Sequence, residues 1–335
     1  MAFKHRLVSA WFPKSLELRA RRRERSSAVV LMYHEVLPDE LDLPLWSIVR
    51  ESAFRAQMAY LQQHYEVVSM DTALARMSGG EDDSHSSSPT MVVITFDDGY
   101  AGNLNCAGSI LREFGLPFTV YIATAKVESG GCHWYDEIST ALMTLGRGSL
   151  RIATSRGSLA YSGRYYLPDR RWAAIHRILT ALKEISPEER ELIATRLPKP
   201  DAKSPLRMLT PAEVTTLAAE PLATVGCHTH DHDLLDRMPT EQARASIARA
   251  QELLYNWTGY HPSHFSYPNG NYSLPVVELV REFGFASAVT TCHRAWTRRD
   301  DRHKIPRIGI GRFDNLNLFR AKVAGLFAMA ILVLA

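Results

Sequence analysis

Ten residues, Met91–Tyr100 (MVVITFDDGY), constrain the fold of this chain more than any other stretch. The apolar run Met91–Ile94 predicts a short buried strand. Asp97 and Asp98 follow where that strand ends, which is where α/β folds place their functional groups. A turn at Gly99 can bring both carboxylates into one cavity, where the two charges are costly unless a cation or a proton accompanies them. Asp-Gly alone is equally typical of a surface turn.

Strands and helices alternate along most of the chain. The predicted strands begin at Val29, Val67, Met91, Phe118, Ala223, Phe265, Ala288 and Ile305. The predicted helices include those over 51–64, 103–114, 240–257 and 274–283. A β-α-β succession requires parallel strands, and about eight of them suit a barrel. We therefore expect an α/β fold that is a distorted (β/α) barrel of parallel strands.

The alternation is interrupted between about residues 130 and 209. The elements predicted there are a helix near 134–145, a β-like patch near 150–166 and a helix near 170–185. The alternation resumes at Thr210, a helix N-cap with Pro211 at the first helical position. We expect an insertion that covers one side of the barrel or helps to bind substrate.

The expected organisation is a basic arm over 1–27, the barrel over 28–312 and an apolar helix or tail over 313–335. The arginine-rich run Arg19–Arg25 (RARRRER) has no interleaved aromatic residues, so we expect a solvated arm and no nucleic-acid binding. The apolar end, Val323–Ala335, is shorter than the ~20 residues that span a bilayer. Either end can make a peripheral membrane contact. A polar stretch over 79–90 predicts an exposed loop.

The cysteines and the N-terminal residues bear on where in the cell the protein is located. The four cysteines are far apart and form no Cys-x-x-Cys pair, so neither a disulfide framework nor a zinc knuckle is indicated. Met1–Pro13 has no apolar run long enough for a secretory signal. We therefore expect a cytoplasmic or inner-membrane-associated protein.

A second polar cluster, His228-Thr229-His230-Asp231-His232, directly follows the predicted strand Ala223–Cys227. Histidines four residues apart converge on one face of a helix, and a tight loop can bring them together equally well. Imidazoles with one carboxylate are ligands for Zn²⁺ or another divalent transition ion. Because this cluster and the two aspartates both follow strands, the sequence predicts a metal site.

Other histidines have to be weighed against this pair. His230 is a competing ligand, because a His-x-His pair would serve as well. We interpret His264, His293 and His303 as structural or surface residues.

Three motifs together resemble the NodB-homology polysaccharide deacetylases: TFDDGY at 95–100, HTHDH at 228–232 and the YPNG loop at 267–270. The opening VLMYHEV at 30–36 resembles the branch that includes the bacterial poly-N-acetylglucosamine deacetylases. The resemblance covers about Val29–Arg312, apart from the insertion. It implies a distorted (β/α) barrel that removes acetyl groups from N-acetylated oligo- or polysaccharides with the help of a divalent metal ion, Zn²⁺ being the first candidate.

The resemblance also assigns roles to residues of this chain. Asp98, His228 and His232 match the metal ligands of the family, and Asp97 matches the general base. The position of His34 in its Tyr-His context resembles that of the general acid. The turn after Tyr267 is a candidate source of backbone N–H groups for the oxyanion.

Two departures from the family pattern bear on these roles. Many relatives have an arginine before the proline of the third motif, where it orients the catalytic aspartate, but Ser266-Tyr267-Pro268 has none. Arg307 is the candidate substitute, and Tyr267, Pro268, Asn269 and Arg307 are expected to contact substrate or to support the residues that do. The late Leu-x-His that supplies the acid in many relatives is not visible near 308–312, which gives His34 more weight.

Two other functions stay open. No aromatic ladder for a long glycan is obvious, so the chain is alternatively an amidase or deformylase acting on a non-sugar amide with the same metal site. The missing arginine and the apolar tail are also compatible with a catalytically silent glycan-binding protein.

Overall fold

The computed structural model describes residues 27–41, 43, 45–79, 91–145, 148–164, 168–197 and 206–326, without the side chains of 168–170. The arginine-rich run, nearly all of the loop expected over 79–90 and residues 327–335 of the apolar tail lie outside these ranges. Apolar runs at nearly all of the predicted positions form strands, and amphipathic segments form helices between them.

The strands of the described residues are β1 Ser27–Tyr33, β2 Glu35–Leu37, β3 Ile48–Arg50, β4 Glu66–Val67, β5 Met91–Phe96, β6 Phe118–Ile122, β7 Ser149–Thr154, β8 Gly157–Ser162, β9 Ala223–Cys227, β10 His264–Ser266, β11 Ser287–Val289, β12 Trp296–Thr297 and β13 Ile308–Gly309. Nine of these strands form one sheet, in the order β11-β10-β9-β6-β5-β1-β12, with β13 also paired to β1 and β4 to β5. All pairs in it are parallel except that of β1 with β12. The predicted α/β fold with a distorted barrel of parallel strands is confirmed.

The sheet differs in detail from a regular barrel of eight equivalent strands. β4 and β6 share one edge of β5, pairing with its first and last residues respectively. The segment predicted as a strand over 305–310 is regular only at β13. It nevertheless joins the two sides of the sheet, because Ile305 pairs with Val289 while Ile308 pairs with Leu31. This segment therefore closes the barrel. The antiparallel strand β12 was not predicted.

The helices are α1 Glu51–His64, α2 Met70–Ser78, α3 Gly108–Phe114, α4 Thr124–Ser129, α5 Trp134–Thr144, α6 Pro168–Leu182, α7 Pro187–Arg196, α8 Pro211–Ala218, α9 Thr240–Thr258, α10 Leu274–Glu282 and α11 Leu316–Val323. Thr210 caps α8 with a complete capping box, as its sequence context predicts. The helix expected over 103–114 begins instead with a π-helical turn at Asn103–Ala107. The side chain of Asn103 is buried there and donates to the carbonyl oxygen of His34.

The insertion comprises α5, the hairpin of β7 and β8, α6 and α7, the last of which was not predicted. It has a hydrophobic cluster of its own, in which Ile138, Ile152, Ile175, Leu182 and Ile193 are buried. The helices α5, α6 and α7 contribute side chains to the cavity at the carboxyl end of the barrel. The insertion therefore packs as a unit while forming one wall of that cavity.

The carboxyl-terminal helix α11 packs on the barrel through Phe319 and Val323. Its Lys322 is buried and paired with Asp314, with Nζ and Oδ2 2.7 Å apart. Among the described residues, no helix has the length and apolar composition required to cross a bilayer.

The strand register brings the predicted site residues together. Tyr33 pairs with Phe96, so His34 and Asp97 lie side by side beyond the ends of β1 and β5. Ile122 pairs with Cys227, and the N–H of His228 donates to the carbonyl oxygen of Ile122. Since the carboxyl ends of parallel strands meet at one edge, the acidic and imidazole motifs converge there.

A substitution at Gly226 in β9 tests how closely β6, β9 and β10 pack against one another. A Cβ at this position would lie 2.4 Å from Cδ1 of the buried Tyr121 ring and 3.1 Å from the carbonyl oxygen of His264. We expect Gly226→Ala to lower the free energy of unfolding by about 1–3 kcal/mol, because overpacking forces neighbouring atoms to move. Urea denaturation measures this. Gly79→Ala is the control, since its Cβ would meet nothing closer than 3.5 Å; equal stability of both variants would contradict the packing of β6, β9 and β10.

Candidate active site

The two adjacent aspartates at the end of β5 face different partners. The N–H of Asp97 donates to the carbonyl oxygen of Tyr33, which continues the β1–β5 ladder by one residue. At Asp98 the chain turns into the left-handed region, with a φ of 76°, and Gly99 follows with a φ of 87°. Both carboxylates are buried. The turn expected at this Asp-Gly therefore keeps both aspartates at the floor of a cavity but separates their environments.

Asp97 is held by Arg307, whose side chain is 0% exposed. The guanidinium donates Nη1–H to Oδ1 and Nη2–H to Oδ2, both at 2.7 Å. It also donates to the carbonyl oxygen of Thr290 and to the hydroxyl oxygens of Thr95 and Ser266. Arg307 thus occupies the charge-partner position that the third motif lacks, as the sequence suggested.

This pairing sets the ionisation of Asp97. Burial alone would raise the pKa of the Asp97 carboxyl, but the guanidinium of Arg307 and the nearby His228 outweigh it and leave the pKa below its usual value. Asp97 is therefore an ionised, oriented carboxylate at neutral pH.

Asp98, His228 and His232 form the group of described residues that could hold a metal ion. The Nε2 atoms of His228 and His232 lie 3.5 and 3.2 Å from Oδ1 of Asp98. Two ligands that are each about 2.0–2.1 Å from a tetrahedral Zn²⁺ would be about 3.3 Å apart. Oδ1 of Asp98 is buried without a hydrogen-bond partner among the described residues. The donor set and its spacing therefore fit a divalent transition ion.

The orientation of the His228 imidazole also suits the binding of a metal ion. Its Nδ1 is 2.7 Å from the carbonyl oxygen of Ser266, so Nδ1 carries the proton and the lone pair of Nε2 points at Asp98. Burial lowers the pKa of His228, but the carboxylates of Asp97 and Asp98 outweigh it and raise the pKa. Protons and a metal ion would therefore compete for this imidazole.

Tyr135, at the start of α5 in the insertion, contacts the same cluster and was missed by sequence reasoning. Its hydroxyl donates to Oδ2 of Asp98 at 2.8 Å. Its ring stacks on His133, with centroids 4.9 Å apart, and lies 5.5 Å from that of His232. The insertion thus orients the carboxylate that the barrel supplies. No motif marks Tyr135, because the contact depends on how the insertion folds back.

Backbone strain is concentrated around these residues. Four non-glycine residues of the described chain have a positive φ: Asp98 at 76°, Thr229 at 66°, His232 at 59° and Asn269 at 57°. Such conformations are costly for side chains other than glycine and persist only where the surrounding structure imposes them. Three of the four are in or next to the metal-ligand group, and Asn269 lines the cavity.

His34 lines the cavity next to Asp97. Its ring packs edge-on against Trp46, with centroids 5.2 Å apart. Burial lowers the pKa of the imidazole, and the charges of Asp98 and Asp97 oppose this shift without cancelling it. The imidazole thus lies partly buried beside Asp97 at the carboxyl end of β1.

Of the four residues expected to contact substrate or to support the residues that do, three do not line the cavity: Tyr267, Pro268 and Arg307. The buried hydroxyl of Tyr267 donates to the carbonyl oxygen of His303, 3.0 Å away, so its ring points into the core. Pro268 is buried below the same turn. Of this loop, Asn269 reaches the cavity wall.

The remaining histidines are distributed differently. His230 is turned away from the metal-ligand group, with its Nδ1 2.9 Å from the hydroxyl oxygen of Thr124. His264 and His303 are buried and hydrogen-bonded to Ser287 and to the carbonyl oxygen of Phe285, as structural histidines. His293 is exposed but lies on the cavity rim, which sequence reasoning did not anticipate.

The cavity has a volume of about 550 Å³ and is walled by the barrel on one side and by the insertion on the other. Three tryptophans line it, Trp46, Trp134 and Trp172. The sequence shows no aromatic ladder because these residues come from separate segments. Aromatic faces of this kind suit the apolar faces of sugar rings.

Comparison with known proteins agrees with this geometry. A family model described as polysaccharide deacetylase matches residues 84–288. No curated protein matches the chain significantly. Among solved structures, IcaB from Ammonifex degensii is similar at 19% identity, covering 89% of this chain and 97% of its own, with a TM-score of 0.57.

Two further solved structures share the fold. The Streptococcus pyogenes deacetylase PplD in complex with acetate has 16% identity, coverage of 87% of this chain and 96% of its own, and a TM-score of 0.52. A de-N-acetylase from Aggregatibacter actinomycetemcomitans has 13% identity, coverage of 88% and 99%, and a TM-score of 0.54.

Replacing Arg307 tests the pair with Asp97. We expect Arg307→Met to lower the free energy of unfolding at neutral pH by about 3–5 kcal/mol, because a buried carboxylate loses its partner. The Asp97 pKa in the fold is below its unfolded value, so the pair stabilises at neutral pH and this contribution is lost as pH falls through the folded-state pKa. The difference between the variant and the wild type should therefore shrink in acid.

Urea denaturation at pH 7 and at about pH 3, below the unperturbed aspartate pKa of about 3.9, measures both effects. Arg281→Met is the matched control, because this arginine pairs with Glu278 and Asp301 on the surface. Exposed pairs contribute at most about 1 kcal/mol. An Arg307→Met variant no less stable than Arg281→Met would contradict the proposed role of the buried pair.

Proposed function

Because this chain belongs to the polysaccharide deacetylase family, a family of hydrolases, we propose that it removes N-acetyl groups from an amino-sugar glycan or its precursor. One observation supports the proposal: Asp98, His228 and His232 lie together as a group that could hold a metal ion, while the neighbouring carboxylate of Asp97 is paired with Arg307. One cavity thus contains a metal-ligand set and a separate base.

The ligand set proposed for the divalent ion is Asp98, His228 and His232. When bound there, the ion would supply Lewis acidity toward the acetyl carbonyl and would make an attacking water more acidic. Zn²⁺ suits two imidazoles with one carboxylate and an open position, and other transition ions are compatible with the same donors.

Asp97 is the proposed general base. Its Oδ2 lies 4.0 Å from Nε2 of His228, so it adjoins the ligand group without belonging to it. Both of its oxygens accept hydrogen bonds from Arg307, which fixes the plane of the carboxylate. It would take the proton from water as the water attacks the acetyl carbon, a step in which an oriented base contributes about 10²–10⁴-fold.

His34 is the proposed general acid, which protonates the departing amine. Its place beyond β1 puts it beside Asp97 in the strand register. Because burial lowers its pKa, the protonated form is depleted at a lower pH than in a free imidazole. In this proposal, activity declines as pH rises through the His34 pKa, since the leaving nitrogen then lacks its proton donor.

The cavity wall favours a sugar over a non-sugar amide. Trp46, Trp134 and Trp172 provide apolar faces around the reacting end. The pairing of Arg307 with Asp97 favours an active enzyme over a silent binding protein, because it supplies the charge partner that the third motif lacks.

The Asp97→Asn variant tests the proposed base independently of metal binding. We expect acetate release from N-acetylglucosamine oligomers, assayed with added divalent metal, to fall by about 10²–10⁴-fold. Elemental analysis should find the metal content unchanged, because Asp97 is not a proposed ligand. His228→Ala is the companion variant and should lose both metal and activity. Circular dichroism checks that both variants fold, and undiminished acetate release by Asp97→Asn would remove the proposed base.

Tyr135→Phe tests how the insertion supports the metal ligands. Loss of the hydrogen bond to Asp98 should weaken metal binding by about 10–100-fold, since such supporting contacts tune ligand sets by this amount. Competition with a chromophoric chelator measures the affinity. For the wild type, affinity should fall as pH falls through the raised pKa of His228, because the protonated imidazole cannot bind metal.

Tyr255→Phe is the control for this variant, because Tyr255 is an exposed tyrosine outside the cavity. If Tyr135→Phe binds metal as tightly as Tyr255→Phe, then the Tyr135 hydroxyl plays no part in holding the ion.

A further inference from the structure

One face of α6 and the residue just beyond its end form a continuous stripe along the cavity wall. The residues of this stripe are Trp172, His176, Leu179, Thr180 and Lys183. Their spacing of three or four residues places them on one side of a helix. The stripe begins with the aromatic ring of Trp172 and ends with the ammonium group of Lys183, so this wall changes from apolar to positively charged along the helix.

Lys183 is partly buried in this wall. Its Nζ donates to Oδ1 of Asn269 at 2.5 Å, which ties the insertion to the loop after β10. Among the described residues, no carboxylate lies within ion-pair distance of Nζ, the pairs found in this region being those of other cations. A partly desolvated ammonium without an anionic partner is an unfavourable arrangement for the free protein.

The two arginines whose charges act on Lys183 each have a carboxylate partner of their own. Arg190 pairs with Asp233, and Arg237 pairs with Glu184, both at 2.7 Å. Burial lowers the pKa of Lys183, the positive charges of Arg190 and Arg237 lower it further, and the carboxylate of Asp98 opposes this shift without cancelling it. Burial and the neighbouring positive charges thus disfavour the ammonium, and an incoming anion would relieve this.

The acidic side chains that line the cavity each have a partner or a role other than pairing with Lys183. Asp97 is paired with Arg307, and Asp98 belongs to the metal-ligand group. Asp136 accepts a hydrogen bond from the hydroxyl of Tyr100, and burial raises the pKa of its carboxyl well above the usual value, which disfavours its charged form. Once a divalent ion is bound, Lys183 is the cavity-lining charge of the described residues that lacks a compensating partner.

We propose that Lys183 binds an anionic group of the substrate, a phosphate or a carboxylate, while the N-acetyl group lies at Asp98, His228 and His232. The substrate class would then be an N-acetylated amino sugar that carries a negative charge, with Trp172 lining the same wall. This inference rests on the proposed function, because it assigns the specificity of the same cavity.

The experiment compares three small substrates of similar size on the metal-loaded protein: methyl N-acetylglucosaminide, N-acetylglucosamine 1-phosphate and N-acetylmuramic acid. We expect kcat/KM for at least one anionic sugar to exceed that of the neutral sugar by about 10-fold or more, because a charge-assisted hydrogen bond is lost with the neutral one. Comparing N-acetylglucosamine 1-phosphate with N-acetylmuramic acid shows whether the site prefers a phosphate or a carboxylate.

Variants of Lys183 identify the residue responsible. Lys183→Met should reduce the preference for the anionic sugar to about 1-fold, with a much smaller loss of kcat/KM on the neutral sugar than on the anionic one. Lys183→Arg should retain most of the preference, because it keeps the charge. Lys304→Met is the control, since Lys304 pairs with Asp301 and does not line the cavity. Added salt should weaken the preference in the wild type.

Two results would overturn the inference. One is equal turnover of charged and neutral sugars by the wild type. The other is an equal loss on all three substrates in Lys183→Met, which would mean that Lys183 only supports the Asn269 loop. Titration calorimetry of the same sugars against wild type and Lys183→Met gives a readout without turnover. Absence of deacetylation with Lys183-dependent binding of the anionic sugar would instead refute the proposed function, while the role of Lys183 in binding the anion would stand.

Discussion

The buried pair between Asp97 and Arg307 is the contact on which both the barrel and the site depend. Arg307 lies in the segment that joins β11 to β1, and its guanidinium also reaches Thr290, Thr95 and Ser266. A buried charge is tolerated only where its partners are fixed and complete. The same guanidinium therefore closes the barrel and orients the carboxylate at the centre of the cavity, so neither feature can be altered without the other.

The insertion contributes in a different way, because it packs around its own hydrophobic cluster and reaches the site from outside the barrel. Tyr135 extends from it to Asp98, and Lys183 extends from it to Asn269. The barrel supplies Asp97, Asp98 and the two imidazoles, and the insertion supplies the far wall and the hydrogen bond of Tyr135 to Asp98. Under the proposed function, this division places the reacting groups on the barrel and the residues that select substrate on the insertion.

Much of the barrel was predictable because its signals are local. The runs before Asp97 and His228 are short and apolar, and the caps of α8 and α9 are given by Thr210 and Gly259, so these elements match their predicted bounds closely. The orientation of Tyr267 and the contact of Tyr135 depend on packing between distant segments, which periodicity cannot show. Arg307 was found only because the third motif lacked a charge that Asp97 requires.

The loop after β9 explains why the His-x-x-x-His pair was ambiguous between a helix and a turn. Thr229 and His232 both have a positive φ, so the two imidazoles converge through a tight loop and their centroids are 4.7 Å apart. The hydroxyl of Thr229 accepts from the N–H of His232, and its carbonyl oxygen accepts from the N–H of Thr124. Each such conformation costs about 1–3 kcal/mol. These hydrogen bonds oppose that cost, so the shape of the metal-ligand group depends on contacts that exist in the folded barrel.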